Sequence, residues 1–224
     1  MDATRRGELA SRQLDGYVHG PAAATEATAR ALAKVAAAEA VVLVEGISDQ
    51  IAIEALAARQ GRDLDAEHVV ILPAGGAHAM TRYLTQCGPA GAGLRLAGLC
   101  DAGEESIVRR ALASAGLGSP ATRAGMERLG FYVCVDDLED ELIRAIGAAR
   151  VEALVDTQGD LGSFRSLQRQ PEWRGQPTAA QLRRFLGSGA RRKLRYARLL
   201  TASVDLDRLP YPLGAALTRV SPAA

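Results

Sequence analysis

Residues 41–44 read Val-Val-Leu-Val and stop abruptly at Glu45-Gly46. Four consecutive apolar residues, mostly β-branched, predict a strand buried on both faces, and strands of that kind belong to parallel sheets. Ser48 is expected to cap a helix whose apolar face runs through Ile51, Ile53, Ala55 and Leu56. Strand, tight glycine turn and helix together restrict the chain to an α/β architecture. In open α/β sheets ligands bind just outside the carboxyl ends of the strands. Glu45 and Asp49 bracket the turn at such an end. By spacing alone they suit ligand chemistry, but equally a solvated strand-end acid and a first-turn helix acid favoured by the helix dipole.

The same pattern returns along the chain. Residues 69–72 (Val-Val-Ile-Leu) predict a second buried strand, closed by Pro73; residues 94–100 predict a third, delivering Asp101 ahead of Ala-Gly-Glu-Glu. Residues 131–135 predict a fourth, followed by Asp-Asp-Leu-Glu-Asp-Glu, five acids in six residues over 136–141. A solvated, acid-capped helix start accounts for some of these acids without requiring all five. Two acidic ends on neighbouring parallel strands would bring Glu45 and Asp101 within reach of one hard cation, which takes oxygen ligands. The glycine pair at 75–76 offers either backbone N–H groups for a phosphate or a plain tight connection, the commoner case. His78 reads as a helix-start residue, not a base.

Residues 44–49, Val-Glu-Gly-Ile-Ser-Asp, resemble the first motif of TOPRIM domains, in the branch of the overcoming-lysogenization-defect (OLD) nucleases. The resemblance extends over roughly residues 40–145 and implies a four-stranded, mainly parallel sheet flanked by helices. It implies that the strand-end Glu45 works at a divalent-metal site with Mg²⁺ or Mn²⁺. The family's second motif is Asp-x-Asp; here it is Asp101-Ala102-Gly103, so the second acid is absent, and Glu104 or Glu105 is available as a longer substitute. The stretch from Asp137 to Asp140 resembles the acidic motif after the last core strand, where Glu139 would complete the site beside Asp49. Lys193 is similar in position to a lysine that assists the site from a later helix. No G-x-x-x-x-G-K-[ST] segment occurs. The chain thus resembles short TOPRIM-only forms without an ATPase domain, and an ATPase partner encoded separately remains open.

Composition sets the wider bounds. The chain has 224 residues, 48% of them hydrophobic and 4% aromatic, so its core is built from Ala, Val and Leu. Three widely spaced cysteines without C-x-x-C predict a reduced, zinc-free, cytoplasmic protein. No apolar run is long enough for a membrane helix, and no signal peptide is evident. Residues 1–20 read as a frayed arm, and Pro21 opens an alanine-rich helix to about residue 40. Residues 148–224 read as helical. The expected organisation is an arm and helix (1–40), a TOPRIM core (41–147) and a basic α-helical extension (148–224). Residues 1–140 hold 13 basic and 19 acidic side chains, whereas residues 141–224 hold 14 and 7. Arg183, Arg184, Arg191, Arg192, Lys193, Arg195 and Arg198 form a run without an acid. A solvated helix face usually alternates signs, so the arginines of this run are expected to meet the phosphates of DNA.

Together these features predict a metal-dependent DNA endonuclease or nickase with catalytic Glu45, Asp101 and Lys193 and metal ligands Glu45, Asp49, Asp101, Glu104 and Glu139. A non-catalytic TOPRIM scaffold that binds nucleic acid or nucleotide is the alternative, favoured by Gly103. A HAD-type phosphatase with Asp101 as nucleophile lacks the Asp-x-Asp it would need. The sequence does not specify an oligomeric state.

Overall fold

The computed structural model describes residues 22–222 together with Leu14, Gly16, Tyr17 and Gly20. Four strands, β1 (Ala40–Val44), β2 (Val69–Pro73), β3 (Arg95–Cys100) and β4 (Phe131–Val133), form one sheet in the order β2-β1-β3-β4. Every neighbouring pair is parallel. Parallel strands need long crossovers, which place helices over both faces and account for the continuous apolar runs. In β1, Ala40, Val42 and Val44 enter one core while Val41 and Leu43 enter the other.

The second of these cores is covered by α1 (Ala23–Val35), α3 (Met80–Cys87), α4 (Glu105–Ser114) and α5 (Arg123–Arg128), through Val35, Leu84, Leu112 and Met126. The first is covered by α2 (Ile47–Arg59), α6 (Leu138–Ile146) and the helices that follow, namely α7 (Ala148–Thr157), α8 (Leu161–Gln168), α9 (Thr178–Gly187), α10 (Ala190–Ser203) and α11 (Tyr211–Arg219). A Cβ at Gly98 in β3 would stand 2.4 Å from two ring carbons of Phe131, so only glycine lets that ring lie across the strand.

Arginines from the first half of the chain bind carbonyls at the ends of the late helices. Arg59 donates to the carbonyls of Thr201 and Val204 at 2.6 and 2.7 Å, Arg62 to that of Leu217 at 2.8 Å, and Arg95 to that of Ser221 at 2.6 Å. The last carbonyls of a helix lack partners within it, and a guanidinium supplies them.

Several expected boundaries move. The alanine-rich helix ends at Val35, and the frayed arm over residues 1–20 lies largely outside the described residues, although Leu14 within it is buried. Pro21 is also outside them. The fourth strand stops at Val133 because the Val135 N–H donates to Glu141 Oε1 at 2.7 Å, which leaves Val135 itself exposed. Helix α5 was not legible in the sequence.

Candidate metal centre

All four strands point the same way, so their carboxyl ends share one edge of the sheet. β1 and β3 are adjacent and flank the point where the strand order reverses, the place where α/β sheets open a crevice. Glu45 follows β1 directly and Asp101 follows β3. The Asp101 N–H donates to Glu45 Oε1 at 2.9 Å, which joins the two strand ends. The Glu45 carbonyl in turn accepts the N–H groups of Gly75 and Gly76 at 3.0 and 2.9 Å. Those two residues have φ of 79° and 115°, which favours glycine. Their N–H groups are therefore used inside the fold, which removes the phosphate reading of the glycine pair.

The N-cap of helix α2 is Gly46, not Ser48: the Asp49 carboxylate accepts the Gly46 N–H at 2.9 Å, and Ser48 is buried within the first turn. Asp49 is itself buried. From the other side, α6 brings Glu139, which is 6% exposed. Lys193 of α10 stands 3.6 Å from Glu139 Oε1, an ion-pair distance too long for a hydrogen bond, so that oxygen is buried with no hydrogen-bond partner. Lys193 also lies within electrostatic reach of Asp49, Asp101 and Asp137.

Crowding buried acids raises their proton affinity. Burial, and then the charges of Asp49, Glu45 and Asp137, push Asp101 up to about 8 against the pull of Lys193. Burial pushes Glu139 up to about 7 against the same pull, with Asp137 and Asp49 adding to the rise. Glu45 and Asp49 are raised as well, chiefly by burial. Burial disfavours the Lys193 ammonium, but the surrounding carboxylates outweigh it and its affinity for the proton rises.

Among the described residues, no three His, Cys, Asp or Glu side chains stand as a ready metal cage. Glu45 is turned to Asp101, Asp49 to Gly46, and Glu139 toward Lys193. The donor chemistry nevertheless fits a hard cation: all donors are carboxylate oxygens, they repel one another, and the buried Glu139 Oε1 has no hydrogen bond to give up. Of the two residues considered for the missing acid at Gly103, Glu105 is committed to Arg109 and Arg123. Glu104 is not: its Oε2 is buried without a partner and its charge is felt by Glu45.

The remaining acids of the 136–141 run disperse. Asp136 and Asp137 pair with Arg183, Asp140 with Arg144, and Glu141 with the Val135 N–H and Arg144. Asp137, absent from the expected site, is in reach of Asp49, Asp101, Glu139 and Lys193. Its position as N-cap before an apolar helical stretch was the available signal.

The basic run separates too. Arg184 and Arg191 are exposed. Arg192 lies over the Phe185 ring, 4.1 Å from its centroid, and donates to Ser188 Oγ at 2.8 Å. Arg198 is half-buried in reach of Tyr17. Arg195 does not face phosphate: it is 8% exposed, paired with Asp160, because its position on α10 points inward. No helix among the described residues is long and apolar enough to cross a membrane.

The raised acids make stability fall with pH. Asp101 and Glu139 hold protons in the folded state that the unfolded chain has already released. Their stabilising contribution is complete below about pH 4 and is lost as pH rises through about 7 and 8. In EDTA, Tm is expected to fall by roughly 5 °C between about pH 5.5 and 8.5, with Mg²⁺ restoring more at the higher pH. Scanning calorimetry checks this; a flat Tm with no Mg²⁺ effect at either pH would contradict it.

Residues 38–101 match the family model for the overcoming lysogenization defect protein-like TOPRIM domain. The fold is similar to that of the C-terminal region of the Xanthomonas campestris pv. campestris OLD protein, with a TM-score of 0.60 and 22% identity over 82% of this chain and 94% of that one. It is also similar to the C-terminal region of the Burkholderia pseudomallei OLD protein, with a TM-score of 0.60 and 19% identity over 82% and 96% of the two chains. No curated protein sequence matches the chain. The segment 38–101, which carries β1, β2 and β3 and the acids that follow β1 and β3, thus matches an OLD-like TOPRIM domain, and the parallel four-stranded sheet is similar to that of the C-terminal regions of OLD proteins.

Proposed function

We propose that the protein is a divalent-metal-dependent DNA endonuclease or nickase, with its site at the β1/β3 crevice. The observation that carries this reading is the 2.9 Å bond from the Asp101 N–H to Glu45 Oε1, with Lys193 in electrostatic reach of both residues and paired with the buried Glu139 Oε1, which accepts no hydrogen bond. Glu45 and Asp101 would hold the ion, with Asp49, Glu104 and Glu139 as further oxygen donors. When bound, Mg²⁺ or Mn²⁺ supplies Lewis acidity toward a phosphodiester and neutralises the carboxylates. Lys193 keeps its charge among those acids and would offset negative charge that develops on a phosphate. Exposed Arg184 and Arg191 would supply phosphate contacts from α9 and α10.

Plasmid nicking by the purified protein in Mg²⁺, in Mn²⁺ and in EDTA tests the reading. Nicking is expected with either metal, faster with Mn²⁺, and absent in EDTA. A Cβ at Gly103 meets nothing within 4 Å, so Gly103→Asp restores the family's second acid without a clash. It is expected to raise Mg²⁺-supported nicking several-fold, since a hard cation is retained by ligand charge and number. If Gly103→Asp is inert and Glu104→Gln is as damaging as Glu45→Gln, Glu104 already fills the role. Gly103, where the family has its second acid, favours a second reading, a non-catalytic regulator that binds nucleic acid or nucleotide on a TOPRIM scaffold. DNA binding without nicking in any metal would establish that reading instead.

A further inference from the structure

We propose that Arg183 is a positioning residue for the crevice: its guanidinium, seated on Asp136 and Asp137, fixes the first turn of α6 and with it the direction of Glu139. The inference rests on the metal reading of the site and assigns Arg183 a role different from phosphate contact.

The two oxygens of Asp137 do two things. Oδ1 accepts the Asp140 N–H at 2.8 Å, the N-cap bond that starts α6. Oδ2 accepts from Arg183 Nε at 2.7 Å, and Arg183 Nη1 stands 3.3 Å from Asp136 Oδ2. Arg183 comes from α9, which packs on α6 across the same core. A guanidinium holding one carboxylate oxygen restricts rotation of the group and so favours the orientation in which the other oxygen caps α6. Asp136 carries the second connection: its carbonyl accepts the Ala102 N–H at 2.9 Å, directly after Asp101. One arginine therefore braces both the turn that presents Glu139 and the backbone beside Asp101. Groups that orient metal-binding side chains without touching the metal typically change its affinity by about 10–100-fold when removed.

Arg183→Ala and Arg183→Lys, in the full chain, test this by three measurements. Mn²⁺ affinity is read by calorimetry, exchange of the Asp140 amide by hydrogen–deuterium exchange, and DNA affinity as a function of salt. Arg183→Ala is expected to weaken Mn²⁺ by about tenfold and to speed exchange at Asp140, with Arg183→Lys recovering part of both. The salt slope of DNA binding is expected to stay that of the wild type. A salt slope reduced by about one, with Mn²⁺ affinity and Asp140 exchange unchanged, would make Arg183 a phosphate contact and overturn the proposal. If the wild type binds no Mn²⁺, the metal reading falls, and the brace then stands or falls on the exchange of Asp140 alone.

Discussion

Glu45→Gln is expected to lower metal-supported nicking by at least about 10³-fold while leaving the fold and DNA affinity in place. The substitution is nearly isosteric, and an amide oxygen can still accept the Asp101 N–H that Glu45 Oε1 accepts at 2.9 Å. The backbone bonds from Gly75 and Gly76 go to the Glu45 carbonyl and do not depend on its side chain. What disappears is one negative charge at the centre of a crowded acidic cluster. Stability is expected to move the other way. Glu45 contributes to the raised proton affinity of Asp101, so its neutralisation relieves repulsion, and Tm in EDTA is expected to rise by a few degrees. The Mg²⁺-induced increase in Tm is expected to shrink in the same variant. An active, unstabilised Glu45→Gln protein would remove Glu45 from the site.

The second large effect concerns Arg195, on stability instead of catalysis. Its guanidinium is buried against Asp160, which also accepts the Tyr196 hydroxyl at 2.9 Å, and it lies 4.8 Å from the centroid of the Tyr196 ring. Arg195→Ala would leave the Asp160 carboxylate, itself 13% exposed at the side chain, without its counter-charge. Breaking such a pair costs about 3–5 kcal/mol, a Tm loss of roughly 10 °C in a chain of this size. The double variant Arg195→Met, Asp160→Leu is expected to recover part of the loss, because it removes both desolvated charges but leaves the Tyr196 hydroxyl without its acceptor. Denaturant titration of the wild type, Arg195→Ala and the double variant decides it; an Arg195→Ala cost under about 1 kcal/mol would show that the pair is solvated.

The strands and the acids at their ends were legible because parallel, doubly covered strands leave an unambiguous signal of apolar runs stopped by a turn. That signal located β1, β2 and β3 within a residue or so and placed Glu45 and Asp101 together. What it missed was set by contacts between distant parts of the chain. Nothing local in the run from Arg183 to Arg198 says that Arg195 turns inward to Asp160 while Arg184 stays outside, since inward and outward arginines have the same helical spacing. The five acids at 136–141 likewise look alike in sequence. The fold gives Asp136 and Asp137 to Arg183 and Asp140 and Glu141 to Arg144, and only Glu139 among them is left buried beside Lys193 without a hydrogen bond to its Oε1. Val135 shows the reverse error: its β-branched side chain suits a strand, but Glu141 holds its N–H.

The arginine bonds from Arg59, Arg62 and Arg95 to the late helices bear on how such a chain can be divided. A pattern-based cut after residue 147 would look like removal of an appendage. It would instead strip the last helix from β3 and β4 and α10 from α2, and leave three cations without the carbonyls that now solvate them. Lys193 would go with the removed piece, taking the crevice's own positive charge. The helices that look dispensable close one side of the sheet, so the chain has to be expressed with them for that core to stay covered.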